Sequence, residues 1–221
     1  MAPIVLRIDF VSDVACPWCA IGLANLEQAL ARLEDLIHAE IHLQPFELNP
    51  QLPIEGDDAS EHLMRKYGID EAQLAVNRAT IRERAAASGV TISAGPDSRV
   101  YNTFDAHRLL HWAGLQDRTL ALALKRALFR AYFTEGENVA DHAVLGRIVA
   151  DAGLDAAAAR RMLASDAHAD DVRTLERQFQ QAGIHSVPAT IINEMFIISG
   201  GQPPEAFEHV LREIATRASA A

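Results

Sequence analysis

The sequence predicts an α/β protein in which a β-α-β unit and a later β-β-α unit are separated by a large all-helical block. Three observations predict it. A strand-like apolar run, Ile4 to Val11, passes directly into helical periodicity at Pro17. The spacing of apolar residues then stays helical through the middle of the chain. Strand-type runs return at Val187–Ile192 and Met195–Ile198, ahead of a last helix.

Taken in order, Ile4 to Val11 carries Ile, Val, Leu, Ile, Phe and Val with little interruption, as a buried strand does, and Ser12-Asp13 breaks it. From Pro17 to about Leu36, Ile21, Leu23, Leu26, Leu30 and Leu33 recur at helical spacing, with Pro17 in the first turn, where a missing N–H does no harm. Ile41 to Phe46 alternates apolar with polar or Pro and reads as a second strand, ended by Leu48-Asn49-Pro50. A loop from Gln51 to about Asp57 follows. Residues 59 to 183 are rich in Ala, Leu, Arg and Glu, with breaks near Gly68, Gly89, Gly95-Pro96, Gly114, Gly136 and Gly153. This predicts six or seven short helices, with Val90-Thr91-Ile92 as the one strand candidate. Asn193-Glu194 joins the two late strand runs as a hairpin, and Gly200-Gly201 closes it. Pro203-Pro204-Glu205 opens a helix with Phe207, Val210, Leu211 and Ile214 on its apolar face, and the tail from Ala218 to Ala221 is expected to fray.

Composition narrows the function. A chain of 221 residues, 49% apolar and 23% charged, suits one sizeable domain or a domain carrying a large insertion, and no stretch approaches a membrane-spanning run. A formal net charge of -10 argues against a nucleic-acid partner, which would be met by a basic face. The first ten residues lack a basic segment, a long apolar region and a small-residue cleavage site, so a cytoplasmic location is expected.

The chemistry is carried by the chain's only two cysteines, Cys16 and Cys19, in Cys16-Pro17-Trp18-Cys19. So short a loop constrains the unfolded chain little, and a reducing compartment disfavours a structural disulfide, which leaves reactivity as the reason for the pair. Residues at i and i+3 on a first helical turn lie within bridging distance, so the pair can open and close without unfolding. At a helix N-terminus, free N–H groups and the helix dipole favour a thiolate at Cys16, the expected nucleophile. Cys19, one turn in, is the expected resolving thiol. A Cys-x-x-Cys is also half a zinc site, but no second pair exists and the nine His are scattered, so no metal is expected.

Further markers run along nearly the whole chain: Asp13-Val14-Ala15 before the dithiol, Phe46-Glu47-Leu48-Asn49-Pro50, Asn102-Thr103 with Ala106-His107-Arg108-Leu109, Leu128 to Phe133, Ser186-Val187-Pro188-Ala189-Thr190, and Ile198-Ser199-Gly200-Gly201-Gln202. With these the chain resembles the DsbA-like thiol–disulfide oxidoreductases, and among them the FrnE-type dithiol–disulfide isomerases. The resemblance implies a thioredoxin fold, β-α-β then β-β-α, with residues 1–57 and 184–221 as the thioredoxin-like domain and 58–183 as the helical insertion. It implies that Cys16 attacks, Cys19 resolves, and Pro188 is a cis-proline facing the pair. Pro17, Trp18, Val187 and Asn49 are the expected substrate contacts. The expected substrates are thiol- or disulfide-bearing proteins or small molecules. No cofactor is expected, though glutathione is a candidate redox partner. The family's further cysteines and its Asn-Gly hairpin turn are missing here. Kappa-class glutathione transferases and 2-hydroxychromene-2-carboxylate isomerases resemble the chain around Asn49-Pro50 and Arg130 to Glu135, typically with serine where Cys16 stands. A glutathione-dependent transferase or isomerase is therefore the second reading, and a redox-sensing or chaperone-like binding module the third.

Other residues have plainer readings. His107 and His111 lie at i and i+4 on a helix and are read as ordinary helix residues, with no third ligand in view. Tyr132 and Phe133 are read as core at helical spacing. Asp155 with Ala156–Ala159 is a helix start, and Glu47 is a solvated strand-end carboxylate with proton handling as its other reading.

Overall fold

The computed structural model describes residues 3–93, 95 and 97–219. Pro96 of the predicted Gly95-Pro96 break and residues 220–221 of the tail lie outside them. Strand β1 (Ile4–Ser12) leads into helix α1 (Pro17–Ala31) and strand β2 (Ile37–Pro45), which pairs parallel with β1 from Ile4↔Ile37 to Ser12↔Pro45. Strands that run parallel need a crossover, and α1 supplies it. Far along the chain, β5 (Ala189–Ile192) pairs antiparallel with β1, and β6 (Phe196–Ser199) pairs with β5, giving the order β2-β1-β5-β6. Helix α9 (Pro204–Ser219) completes the β-β-α unit. Ala218 and Ser219 are helical in it, where a frayed tail was expected.

Between the two units lie β3 (Asp57–Asp58), α2 (Ala59–Tyr67), α3 (Glu71–Ala87), β4 (Arg99–Val100), α4 (Phe104–Gln116) and α5 (Arg118–Phe129). A π-helical turn (Arg130–Thr134), α6 (His142–Asp151), α7 (Ala156–Leu163) and α8 (Ala169–Gln181) follow. Asp58, Asp70, Asp117, Asp141 and Asp155 each stand at an N-cap and accept first-turn N–H groups, so part of the chain's acidity starts helices.

Three local expectations are corrected. Helix α1 stops at Ala31, not near Leu36: the chain passes through tight turns closed by Leu33 N to Leu30 O (3.0 Å) and Leu36 N to Leu33 O (2.9 Å). The spacing looked helical because Leu33 and Ile37 stay buried in the same core, while β2 must begin at Ile37 to run alongside all of β1. Val90-Thr91-Ile92 forms no strand. Its neighbour Ser93 donates to Phe133 O at 2.8 Å and Thr91 O accepts from the Thr134 hydroxyl at 2.7 Å, which ties the segment to the π turn. The short strands are instead β3 and β4, antiparallel to each other, one of them inside the expected Gln51–Asp57 loop. Tyr132 and Phe133 lie on that π turn, not on a regular α-helix.

Two large apolar cores result, with a smaller cluster of Val11, Phe46, Ile184 and Ala189 beside them. One joins Leu6, Ile8 and Phe10 of β1, Leu23 and Leu26 of α1, and Phe207 and Leu211 of α9. The other lies among α4 to α7, around Leu109, Leu124, Leu128, Leu145 and Ile148. The dithiol sits at the edge of the first, where β1 turns into α1.

Candidate active site

The β1–α1 corner is built around Asp13. Its carboxylate, 1% exposed, accepts from Ala15 N through Oδ1 and from Leu48 N through Oδ2 (3.2 and 2.7 Å), and its Oδ1 lies 3.3 Å from His107 Nε2. Burial raises the Asp13 pKa, but hydrogen bonds from His107, Leu48 and Thr103 outweigh it and hold the group below the ordinary carboxylate range. One charge thus ties the corner to the end of β2 and to α4. His107, read from the sequence as an ordinary helix residue, is 2% exposed and its partner is Asp13.

Cys16 is the N-cap of α1 with extended backbone (φ -96°, ψ 113°), and Pro17 takes the first helical position. Both thiols are free. Cys16 is 4% exposed and Cys19 fully buried, in the expected order, although Cys16 is itself more enclosed than a corner residue would suggest. Burial, and then the adjacent Cys16 sulfur, push the Cys19 thiol well above its ordinary value, while the Lys125 charge acts the other way.

The Val187-Pro188 peptide bond is cis. Val187 O lies 3.8 Å from Cys16 Sγ, so this segment faces Cys16. Small residues permit the approach. A Cβ on Gly22 would lie 3.1 Å from Pro188 Cγ, and one on Gly201 would lie 2.8 Å from Trp18 O. Asn25 of α1 completes the docking by donating to Gln202 O at 2.8 Å. Trp18 is half-buried against this glycine and the first core, so only part of its ring is open to a substrate. Pro17 is likewise half-buried.

Asn49 does not present a free carboxamide oxygen. Its Oδ1 accepts from Lys66 Nζ at 2.7 Å and lies 3.0 Å from His62 Nε2, while Lys66 also donates to Leu48 O at 2.8 Å. Burial lowers the Lys66 pKa, and the nearby Asp13 and Cys16 oppose it; the Tyr67 phenol is raised by burial and by Cys16. Helix α2 therefore delivers a cation and a phenol into the field of Cys16. Glu47 is 8% exposed rather than solvated. It pairs with Arg173, which also holds Glu176 at 2.9 Å, and burial with the second carboxylate pushes Glu47 up to about 7.

Sequence reasoning gave Asp13 no role beyond a motif position and passed over Lys66 and Lys125. Lys125, on α5, is 1% exposed and lies 4.9 Å over the Phe129 ring; burial pulls it down to about 8, opposed by Cys19, Asp13 and Cys16. It lines a cavity of about 10 Å³, the size of one water, together with His107, His111, Gln44 and Pro45. Its signal was present: Ala121, Leu124, Lys125 and Leu128 form an i, i+3, i+4, i+7 stripe, and a lysine on such a buried face is out of place unless it is used.

Comparison with known proteins follows this geometry. A family model described as the DSBA-like thioredoxin domain matches residues 7–212. The crystal structure of a probable DsbA oxidoreductase, SCO1869 from Streptomyces coelicolor, is 34% identical at a TM-score of 0.85, covering 94% of this chain and 89% of that one. The uncharacterized protein YwbO of Bacillus subtilis strain 168 is 25% identical over 94% of this chain and 96% of its own length. The cytosolic disulfide reductase DsbM of Pseudomonas aeruginosa, solved with GSH, shares the fold at a TM-score of 0.64 and 16% identity, covering 94% of this chain and 98% of that one. With a free Cys-x-x-Cys at the β1–α1 corner and a family match over nearly its whole length, the chain belongs to the DSBA-like thioredoxin domain family and is an oxidoreductase of it.

Proposed function

We propose that the chain exchanges disulfides through the Cys16–Cys19 dithiol, with Cys16 attacking and Cys19 resolving. The observation that carries this is the free pair at the start of α1, one thiol at the N-cap against Val187 O and the other sealed beneath it. The Cys16 thiolate attacks one sulfur of a substrate disulfide, forming a mixed disulfide and releasing the other sulfur as a thiolate, which takes up a proton. Cys19 gives its proton to solvent or base and attacks Cys16 Sγ, which releases the second substrate thiolate and leaves a Cys16–Cys19 disulfide. Two electrons have passed to the substrate, and two molecules of a small thiol such as glutathione return them in two further exchanges, leaving as their own disulfide. When Cys16 is released from the mixed disulfide by another substrate thiol instead, the net result is isomerisation.

Cys16 stands at the N-cap of α1, and the Lys66 cation lies within electrostatic reach of it. The main chain at Val187, and Pro17 and Trp18 beside it, meet an extended substrate, with Asn49 acting through the Lys66 it holds. Pro188 contributes by offering no N–H to the thiolate. The substrates are thiol- or disulfide-bearing proteins or small molecules of the cytoplasm. Among the described residues no helix is long and apolar enough to cross a membrane.

The test is a thiol-coupled disulfide reduction assay. Cys16→Ser abolishes turnover, and Cys19→Ser accumulates a mixed disulfide visible by intact mass. Alkylation at neutral pH labels Cys16 ahead of Cys19, whose thiol is buried and raised. Near-normal turnover in Cys16→Ser would overturn the reading in favour of a glutathione-dependent transferase, and equal labelling would overturn the division of roles.

A further inference from the structure

We propose that His111, His168 and Asp171 form a binding site for a transition-metal dication of the zinc class. His111 lies on α4, while His168 stands at the N-cap of α8 and Asp171 in its first turn, so the site joins two elements. Among the described residues this is a group in which three ligand atoms lie within 4.8 Å of one another. Asp171 Oδ2 is 3.7 Å from His111 Nε2 and 3.1 Å from His168 Nδ1. Metal–ligand bonds of 2.0–2.2 Å at tetrahedral angles put neighbouring donors about 3.3 Å apart, so both separations bracket what a zinc ion requires. The imidazoles meet at a ring-centroid distance of 5.3 Å and tilted by 56°, close without stacking face to face.

The chemistry of the set is selective. Two imidazoles and one carboxylate suit zinc, copper or nickel better than calcium or magnesium, which take oxygen ligands. The net charge is -1 when both rings are neutral. The Asp171 side chain is 59% exposed, so an ion can reach the group from solvent.

The backbone around the site is held independently of any ion. Arg108, 5% exposed and one turn before His111, donates to Ala167 O at 3.0 Å and Met162 O at 3.1 Å and also reaches Ser165 O, fixing the turn that carries His168. His168 has φ +62° and makes no capping hydrogen bond, unlike the Asp residues that cap α2, α3, α5, α6 and α7; its ring points to Asp171 instead. The bland alternative is a pair of His–Asp contacts with no ion.

Because a dithiol also binds zinc, the test uses the full chain with Cys16→Ser and Cys19→Ser together. In that background, Co²⁺ is expected to give the visible absorption of a tetrahedral site without a sulfur charge-transfer band, and one equivalent of Zn²⁺ to displace it. His111→Ala, His168→Ala and Asp171→Asn should each weaken Zn²⁺ by about tenfold or more. His142→Ala, a surface histidine paired with Asp105, should leave affinity unchanged. Far-UV circular dichroism establishes that each variant is folded. No saturable binding in the double-Ser background, or affinity unchanged from that background in all three ligand variants, would overturn the site without touching the dithiol reading.

Discussion

At Lys125 the fold encloses an ammonium group for which, among the described residues, no carboxylate closes an ion pair. Its displacement from 10.5 to about 8 corresponds to about 3 kcal/mol at neutral pH, the net of burial and the opposing charges of Cys19, Asp13 and Cys16. The folded chain holds the proton less tightly than the unfolded one. Stability therefore rises with pH between about 8 and 10.5, and the cost is fully present below that window. Lys125→Met is expected to stabilise the protein by up to about 3 kcal/mol at pH 7 and to flatten this pH dependence, read by urea unfolding at pH 7 and pH 9.5. The same variant removes the charge that opposes the rise of the Cys19 thiol, so resolution slows and mixed disulfide accumulates. Unchanged stability together with unchanged resolution would show that the lysine is neither buried charged nor coupled to Cys19. The two cysteines were legible in the sequence because the chain has no others and they follow a strand at a helix start. The Asp13–His107 pair was not, since its members are 94 residues apart and neither leaves a local pattern.

Elements were legible where their periodicity was carried by buried residues on one regular backbone, as in β1, α1, the hairpin and α9. They were misread where burial continued and the backbone changed. Leu33 and Ile37 keep an apolar spacing across the turn that ends α1, and Phe129 and Phe133 keep an i, i+4 spacing into a π turn. The hairpin turn illustrates the converse. Asn193 and Glu194 both take positive φ (49° and 58°), the mirror-image turn that Asn-Gly would favour, and Asn193 is held by exchanging hydrogen bonds with Arg7. The loop after β6 comes close to the first turn of α1 at the site. Gly201→Ala places a methyl 2.8 Å from Trp18 O, a main-chain atom that cannot swing aside. Overpacking of this kind costs about 1–3 kcal/mol, so the melting temperature should fall by several degrees and the near-ultraviolet signal of Trp18 should change. Full retention of both would mean that the hairpin does not press on the dithiol helix.

Across the whole molecule the helical stretch is not a passive insert. It supplies Phe129 and Phe133 to the core beneath the dithiol, while Val14, from the redox corner, is buried in the core of α4 to α7. Leu43 and Tyr132 pack against both. Glu47, beyond the end of β2, is paired with Arg173 of α8. With apolar residues exchanged in both directions, neither part can lose its packing without opening a cavity in the other, so the chain should unfold as one cooperative unit. The sequence provides its own probes. Of its two tryptophans, Trp18 packs against the first core and Trp112 against the second. In Trp112→Phe, fluorescence reports the thioredoxin-like part, and in Trp18→Phe it reports the helices. Each fluorescence midpoint in urea is expected to coincide with the far-UV circular dichroism midpoint of the same variant. A Trp112 transition at lower urea than the Trp18 transition would show the helical stretch melting on its own, and the dithiol would then sit on a part that holds its shape without it.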